Sequence, residues 1–253
     1  MQLFNLVKKN QRFGYHLVDP SPWPFVGATS VFLMAVSAAM YFHGHQNGNY
    51  FLLFGFFMLC NVFFMWWKDI VRESTYEGHH TSVVQQGLRY GVILFIISEL
   101  FFFVAFFWAF FHNSVSPNIE LGSIWPPKGI TPFNPWKVPF LNTIILLLSA
   151  CSITWAHHAV VYGMRRQSIY SFFITIFLAI LFTVFQGLEY TEAAFCFSDG
   201  TYGCTFYMTT GFHGFHVIVG TIFLTICAIR LINYHLTKQH HFGMEAAIWY
   251  WRY

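Results

Sequence analysis

The sequence predicts an all-α fold: a polytopic membrane helix bundle with seven transmembrane helices, the last one short. Three observations carry this. First, 56% of the 253 residues are hydrophobic and 22% aromatic, while 9% are charged, against about 25% charged in a soluble domain. Second, seven apolar segments recur along the chain, at about 23–42, 50–67, 90–111, 138–162, 169–188, 206–232 and 242–253. Third, alternating the connections between these segments sorts the 13 Lys and Arg residues unequally. One side receives Lys8, Lys9, Arg12, Lys68, Arg72, Arg89, Arg165, Arg166, Arg230 and Lys238. The other receives Lys128, Lys137 and Arg252. The positive-inside rule then places the N-terminus on the cytoplasm-like side. The same asymmetry supports the number of spans.

The elements follow in order. Residues 1–16 have no long apolar core and no small-residue cleavage site, so span one is expected to act as the insertion signal. Residues 19–24, DPSPWP, hold three of the nine prolines. They form a stiff, extended lead into span one and place Trp23 in the interfacial belt. After span two comes WWKDIVRESTYEGHH, residues 66–80. Here Arg72 lies four residues after Lys68, and Glu73 four after Asp69. The segment reads either as a lipid-headgroup site or as a solvated helix end with local ion pairs. The loop 113–139 carries the other six prolines and cannot form one regular helix. Trp125, Phe133 and Trp136 mark it as a structured cap or docking loop. Span four carries Ser149, Ser152, Ala156, Ala159 and Gly163 at steps of three and four, a stripe that suits close helix packing within the chain. Span seven falls short of the roughly 20 residues a crossing needs.

Span three contains the most informative residue. The run YGVILFIISELFFFVAFFWAFF, residues 90–111, is apolar or aromatic apart from one serine and Glu99. At about 1.5 Å per residue it crosses a hydrocarbon core of about 30 Å, which puts Glu99 near mid-membrane. Two readings follow. Glu99 handles protons or a polar ligand, or it is a neutral carboxylic acid hydrogen-bonded to a neighbouring helix. The residues alone do not separate them.

Thirteen histidines raise the question of a metal or haem. His157 and His158 are adjacent and point about 100° apart on a helix. His213 and His216 share a face, and the pairs His79–His80 and His240–His241 lie at membrane boundaries. A haem or copper site needs imidazoles converging from different helices. A di-iron bundle needs two Glu-x-x-His motifs on facing helices, and the spans carry none. The expectation is histidines bonded to neighbours or lipid, with no metal. The five cysteines show no zinc spacing. Cys60, Cys151 and Cys227 read as small buried hydrophobes. Cys196 and Cys204 flank a loop, where spacing leaves a disulfide open. No basic run is long enough to suggest nucleic acid. The partners of the basic side are anionic headgroups.

Many motifs, in order, resemble one family. They are WWKDIVRESTYEGHHT, LRYGVILFIISEL, FFWAFFH, ELGSIWPPKGI, LNTIILLLSACSITWAHHA, EYTEAAF with SDGTYGCTF, TGFHGFHVIVG and HHFGMEAAIWYW. Together they resemble subunit III of the aa3-type cytochrome c oxidases, from about Tyr15 to Trp251, and YHLVDPSPWP looks mitochondrial. The resemblance implies a single integral membrane domain over 1–253, with helices I–II in 1–78 and III–VII, including the loop 113–139, in 79–253. Helices I–II and the other five would form a V-shaped lipid cleft holding phosphatidylethanolamine, phosphatidylglycerol or cardiolipin. The chain would have no catalytic centre of its own; haem a, haem a3 and copper belong to partner subunits. It would be a non-redox core subunit of the respiratory terminal oxidase, which moves electrons from cytochrome c to O2 and pumps protons. In that role it would stabilise subunit I, support proton uptake and give oxygen a lipid-lined route.

The resemblance assigns Glu99 as the intramembrane carboxylate at the cleft. It assigns Trp67, Arg72, Glu73, His80, Trp108, His216 and Arg230 as lipid contacts. Expected partners are subunit I, subunit II, accessory subunits and membrane lipids, with a supercomplex of respiratory complexes around them. The expected location is the mitochondrial inner membrane, multi-pass, with the N-terminus on the matrix side. Arg72, Glu73 and Arg230 would reach headgroups of one leaflet. The family continues after WYW with His-Phe-Val-Asp and a further apolar stretch, whereas here Trp251 is followed by Arg252 and Tyr253. Helix seven would then leave carbonyls inside the bilayer, which is costly, so a partner chain or lipid is expected to cover them. The alternative readings are subunit III of a quinol oxidase and a stand-alone proton-coupled transporter using Glu99. The transporter would need discontinuous helices and internal repeats. A haem- or quinol-bearing enzyme ranks last.

Overall fold

In lipid, backbone groups must be satisfied within the segment, which favours helices. The computed structural model describes residues 14–253, and these contain helices and no strand. Lys8, Lys9, Arg12 and most of the segment read for an insertion signal lie outside the described residues. The order is α1 (Trp23–Phe42), α2 (Gly48–Arg72), a π-helical turn (Glu73–Glu77), α3 (Ser82–Val115), a 3-10 turn (Ile119–Leu121), α4 (Val138–Tyr162), α5 (Arg165–Glu192), α6 (Gly200–Ile232) and α7 (Phe242–Arg252). Helices α1 to α6 are long and apolar enough to cross a membrane. Helix α7 has 11 residues and is not.

Helices α1 and α4 have the predicted bounds. Helices α2, α3, α5 and α6 run further than their apolar cores. Where the hydrocarbon ends, polar side chains begin, but the i→i−4 ladder continues. The proline-rich loop shrinks accordingly to 116–137. Residues 113–115 complete α3, and Pro139 falls in the first turn of α4, where its missing N–H is harmless. The loop is packed rather than loose. Trp125 lies 5.5 Å from the Phe110 ring and 5.3 Å from Tyr202, and Phe133 lies 5.6 Å from Phe195.

The chain divides into two compact units, one ending at Leu88 and the other beginning at Arg89. In the first, α1 and α2 pack along buried Ser30 and Ser37 on one helix and Gly48, Gly55 and Val62 on the other. Each series steps by seven, the repeat that keeps a seam facing its partner. The residues are mostly small, so the backbones come close. A Cβ on Gly48 would fall 2.7 Å from the Tyr41 backbone nitrogen. Trp23 Nε1 donates to Asp69 at 2.6 Å and ties the start of α1 to the end of α2.

The second unit packs α4 most extensively on α5. The predicted stripe is its seam: Ser149, Ser152, Ala156 and Ala159 are all buried, and Gly163 closes α4 at φ 78°. Its main core joins Ile153 and Val160 of α4, Phe172 of α5, Leu224 of α6 and Met244 and Ile248 of α7. Helix α7 is therefore held by an apolar core despite its length. Arg165 donates to the carbonyls of Leu231 and Ile232 at the end of α6, where a helix runs out of intrahelical donors. Ser152 and Thr175 share a buried 2.7 Å hydrogen bond across α4 and α5. In membrane bundles such bonds contribute about 0.6 kcal/mol. Ser152→Ala should therefore lower stability by about that much, with a correspondingly small shift of the thermal unfolding midpoint in detergent. A shift as large as that of a core truncation would show that this bond organises the seam.

The expectation that all three span cysteines are buried needs correction. Cys227 is buried, but Cys60 and Cys151 face the chain's exterior. Spans that are apolar all round do not reveal which face is inside. Cys196 and Cys204 are not bridged; both are free thiols, and the Cys204 Sγ donates to the Phe197 carbonyl at 3.2 Å.

Candidate functional site

Helices α3 and α6 run antiparallel, since Phe110 meets Tyr202, Phe102 meets Phe212, and Glu99 meets His216. Glu99 and His216 each sit at the midpoint of helices of 34 and 33 residues. Glu99 Oε2 and His216 Nε2 are 2.5 Å apart. The other ring nitrogen, Nδ1, lies 2.6 Å from the Phe212 carbonyl. A carbonyl only accepts, so Nδ1 carries a proton. One proton must then lie between Nε2 and the carboxylate. With none, two acceptors would face each other; with two, both would be donors. The pair holds a single proton as a unit, which spares either group from standing as an isolated charge at mid-membrane.

Aromatic rings flank the His216 side of the pair. Phe103 meets the His216 ring edge-on at 5.2 Å, and Tyr250 of α7 stacks on it at 6.0 Å. His216 and Tyr250 also line a cavity of about 660 Å³, whose other walls include Leu100, Phe107, Leu147 and Trp251. A second cavity of about 390 Å³ lies beneath the proline-rich loop. It is lined by Asn142 and Glu189, whose Nδ2, Oδ1 and Oε1 atoms are buried without a protein hydrogen-bond partner. Its volume suits ordered water, which commonly serves such groups.

The remaining predicted residues are dispersed. Trp67 is exposed on α2 and stacks on Phe63 at 5.5 Å. Arg72 ends α2 and pairs with Glu77 at 2.7 Å, not with a residue one turn away. Glu73 opens the π-helical turn, 3.9 Å from His16 Nδ1. The His80 carbonyl accepts from Gln85 Nε2 at 3.0 Å. These four belong to the first unit. In the second, Trp108 is exposed on α3, and Arg230 packs over Gly243 at the start of α7. Measured from Glu99 and His216, Trp108 and Arg230 lie in opposite directions, separated along the axis by roughly 34 Å. They cannot hold one headgroup. His216, predicted among the lipid contacts, has both ring nitrogens engaged within the chain.

Sequence reasoning named both members of the pair but did not join them, because 117 positions separate them. It missed Glu189, placing span five's end at 188, whereas α5 continues to Glu192 and carries Glu189 inside. Tyr250 gave no signal apart from its aromatic neighbours.

The fold and this pair define a polytopic α-helical membrane protein with a carboxylate–imidazole couple at mid-membrane. The model of the family cytochrome c oxidase subunit III matches residues 13–253. The chain is 61% identical over 251 residues to the cytochrome c oxidase subunit 3 of Chondrus crispus, covering 99% of this chain and 92% of that one. It is 56% identical over 245 residues to that of Arabidopsis thaliana, covering 97% and 92%. It is 54% identical over 244 residues to that of Struthio camelus, covering 96% and 93%. The chain belongs to the cytochrome c oxidase subunit III family.

Proposed function

We propose that Glu99 and His216 hold one exchangeable proton at mid-membrane and sustain proton uptake by the oxidase during turnover. As a member of its family the chain is a non-redox subunit of the terminal oxidase complex. The quinol-oxidase and transporter readings are not favoured. The proposal rests on the 2.5 Å contact between Glu99 and His216 combined with the fixed Nδ1 proton.

Further parts of the reading follow from the family's chemistry. Subunit I is the main partner, with subunit II and accessory subunits around it. Helix α3 has no buried residue within this chain, so its apolar surface is open to such a partner or to lipid. The complex lies in the mitochondrial inner membrane with the N-terminus on the matrix side, in keeping with relatives from an alga, a plant and a bird. Trp67, Arg72, Glu73 and His80 take a phospholipid headgroup near the end of α2. Trp108 and Arg230 take lipids of opposite leaflets. Oxygen, being apolar, enters through acyl chains.

The test is prolonged turnover of the assembled oxidase carrying Glu99→Gln. Glutamine keeps shape and hydrogen bonding but cannot exchange the proton. Slower proton uptake or early loss of activity is expected, with assembly intact. Unchanged turnover and pumping would reduce the pair to a structural bond.

A further inference from the structure

We propose that the cavity beneath the proline-rich loop is a water-filled half-channel, through which the Glu99–His216 pair exchanges its proton with the loop side of the membrane, and that His213 relays the proton at the inner end. This rests on the reading of the pair as a proton carrier and adds the side with which it exchanges. The cavity of about 390 Å³ is a slot between α4, α5 and α6. On α6 it is lined by Tyr202, Phe206, Thr210 and His213, which follow one face of the helix. That lining extends roughly 16 Å along the axis, from the first turn of α6 to one turn short of His216. Asn142 of α4 is 4% exposed and Glu189 of α5 is 8% exposed. Asn142 Nδ2 and Oδ1 and Glu189 Oε1 have no hydrogen-bond partner among the described residues. A buried group left so costs about 1–3 kcal/mol. Water supplies both the acceptor that Nδ2 needs and the donors that the oxygens need, whereas a bare cation serves only the oxygens. One water takes about 10–15 Å³ of such volume, so the slot has room for several.

The inner end of the slot is a wall shared with the larger cavity, formed by Thr143, Leu146, Thr210 and His213. Thr143 and Thr210 give their hydroxyl protons to the carbonyls of Pro139 at 3.0 Å and Phe206 at 2.8 Å. Leu146 has no proton to give. Of the four, His213 can take a proton on one ring nitrogen and release one from the other. Phe182 meets its ring edge-on at 5.9 Å and steadies it at the wall. His216, three residues further along α6, lines the larger cavity together with His213. Both cavities lie in the loop-side half of the helices. Their linings reach Leu100 on α3, Ala150 on α4 and Val217 on α6, beside the midpoints of those helices. The path therefore ends at the pair. It exchanges protons with Glu99 and His216 and carries none across the membrane.

The assembled oxidase in phospholipid nanodiscs is transferred to D2O, and exchange at the pair is followed by infrared spectroscopy. The signal of Glu99 is the band that Glu99→Gln removes. His213→Leu should slow its exchange by about 100-fold, the lower end of what a positioned proton-transfer group contributes. Asn142→Leu removes an anchor for water without touching α6, and should also slow exchange; it carries the test where His213→Leu does not assemble. His158→Leu, exposed near the opposite end of α4, should exchange at the native rate. Native rates in both His213→Leu and Asn142→Leu would overturn the half-channel while the pair remains a proton carrier served from elsewhere. A native Glu99 band that never shifts in D2O would instead overturn the pair as a carrier, and the half-channel with it.

Discussion

Replacing His216 with leucine while Glu99 remains should destabilise the chain by about 3 kcal/mol, the scale for breaking one side of a desolvated pair. The carboxyl then loses its partner at mid-membrane, where water cannot replace it. Glu99→Leu should cost less, about 1–2 kcal/mol, because a lone imidazole nitrogen is the smaller debt. The double replacement should fall close to the native value, since two apolar side chains leave nothing unsatisfied. The neighbouring rings, Phe103 and Tyr250, already provide an apolar wall. Unfolding of the four proteins in one detergent would give the coupling directly. Additive costs would mean that the 2.5 Å contact contributes no shared energy, and the single-proton description would fail. The cycle also separates stability from function. The double leucine variant should assemble yet fail in prolonged turnover, as is expected of Glu99→Gln.

Gly203→Val should prevent the cap beneath the proline-rich loop from forming and cost roughly 3 kcal/mol. Gly203 lies in the first turn of α6. A Cβ there would overlap the carbonyl oxygen of Cys196 and approach that of Phe197 at 3.2 Å. Both obstacles are backbone, so no rotamer change relieves them. The segment they belong to is fixed from several directions. Asp199 Oδ2 accepts from the Cys196 N–H at 2.6 Å, and the Tyr207 hydroxyl donates to the Phe195 carbonyl at 2.8 Å. Phe195, Tyr202 and Phe206 pack ring against ring beside Phe133. Gly203→Ala should already lower the thermal midpoint, and valine further. Gly211 has open space around its Cβ position and should tolerate alanine. Equal tolerance at both glycines would show that the 193–199 segment yields easily.

The legible part of the fold came from chemistry that acts locally. Apolar runs of membrane length and proline clusters specify spans and breaks, because each follows from what single residues do locally in lipid or in a helix. Helices α1 and α4 therefore appear at their predicted bounds, and the short final helix appears as α7. Helix ends past the hydrocarbon were misjudged, since hydrogen bonding continues where hydropathy stops. Inside and outside faces were hidden as well. A span in lipid is apolar on both, so Cys60 and Cys151 could not be told from Cys227. Only small residues carried a facing signal. It was read on α4 but passed over at Ser30, Ser37, Gly48 and Gly55.

By itself the sequence determined that this chain is a helical membrane protein with a short last helix, and that Glu99 lies midway along an apolar span. The family motifs were equally plain in it. Only the tertiary structure decided what Glu99 meets. Pairing it with His216, and bringing Asn142, Glu189 and His213 to one slot, depends on antiparallel register and on how α4, α5 and α6 dock. Those are set by side-chain packing summed over many contacts distant in sequence, and no single residue's preference encodes them.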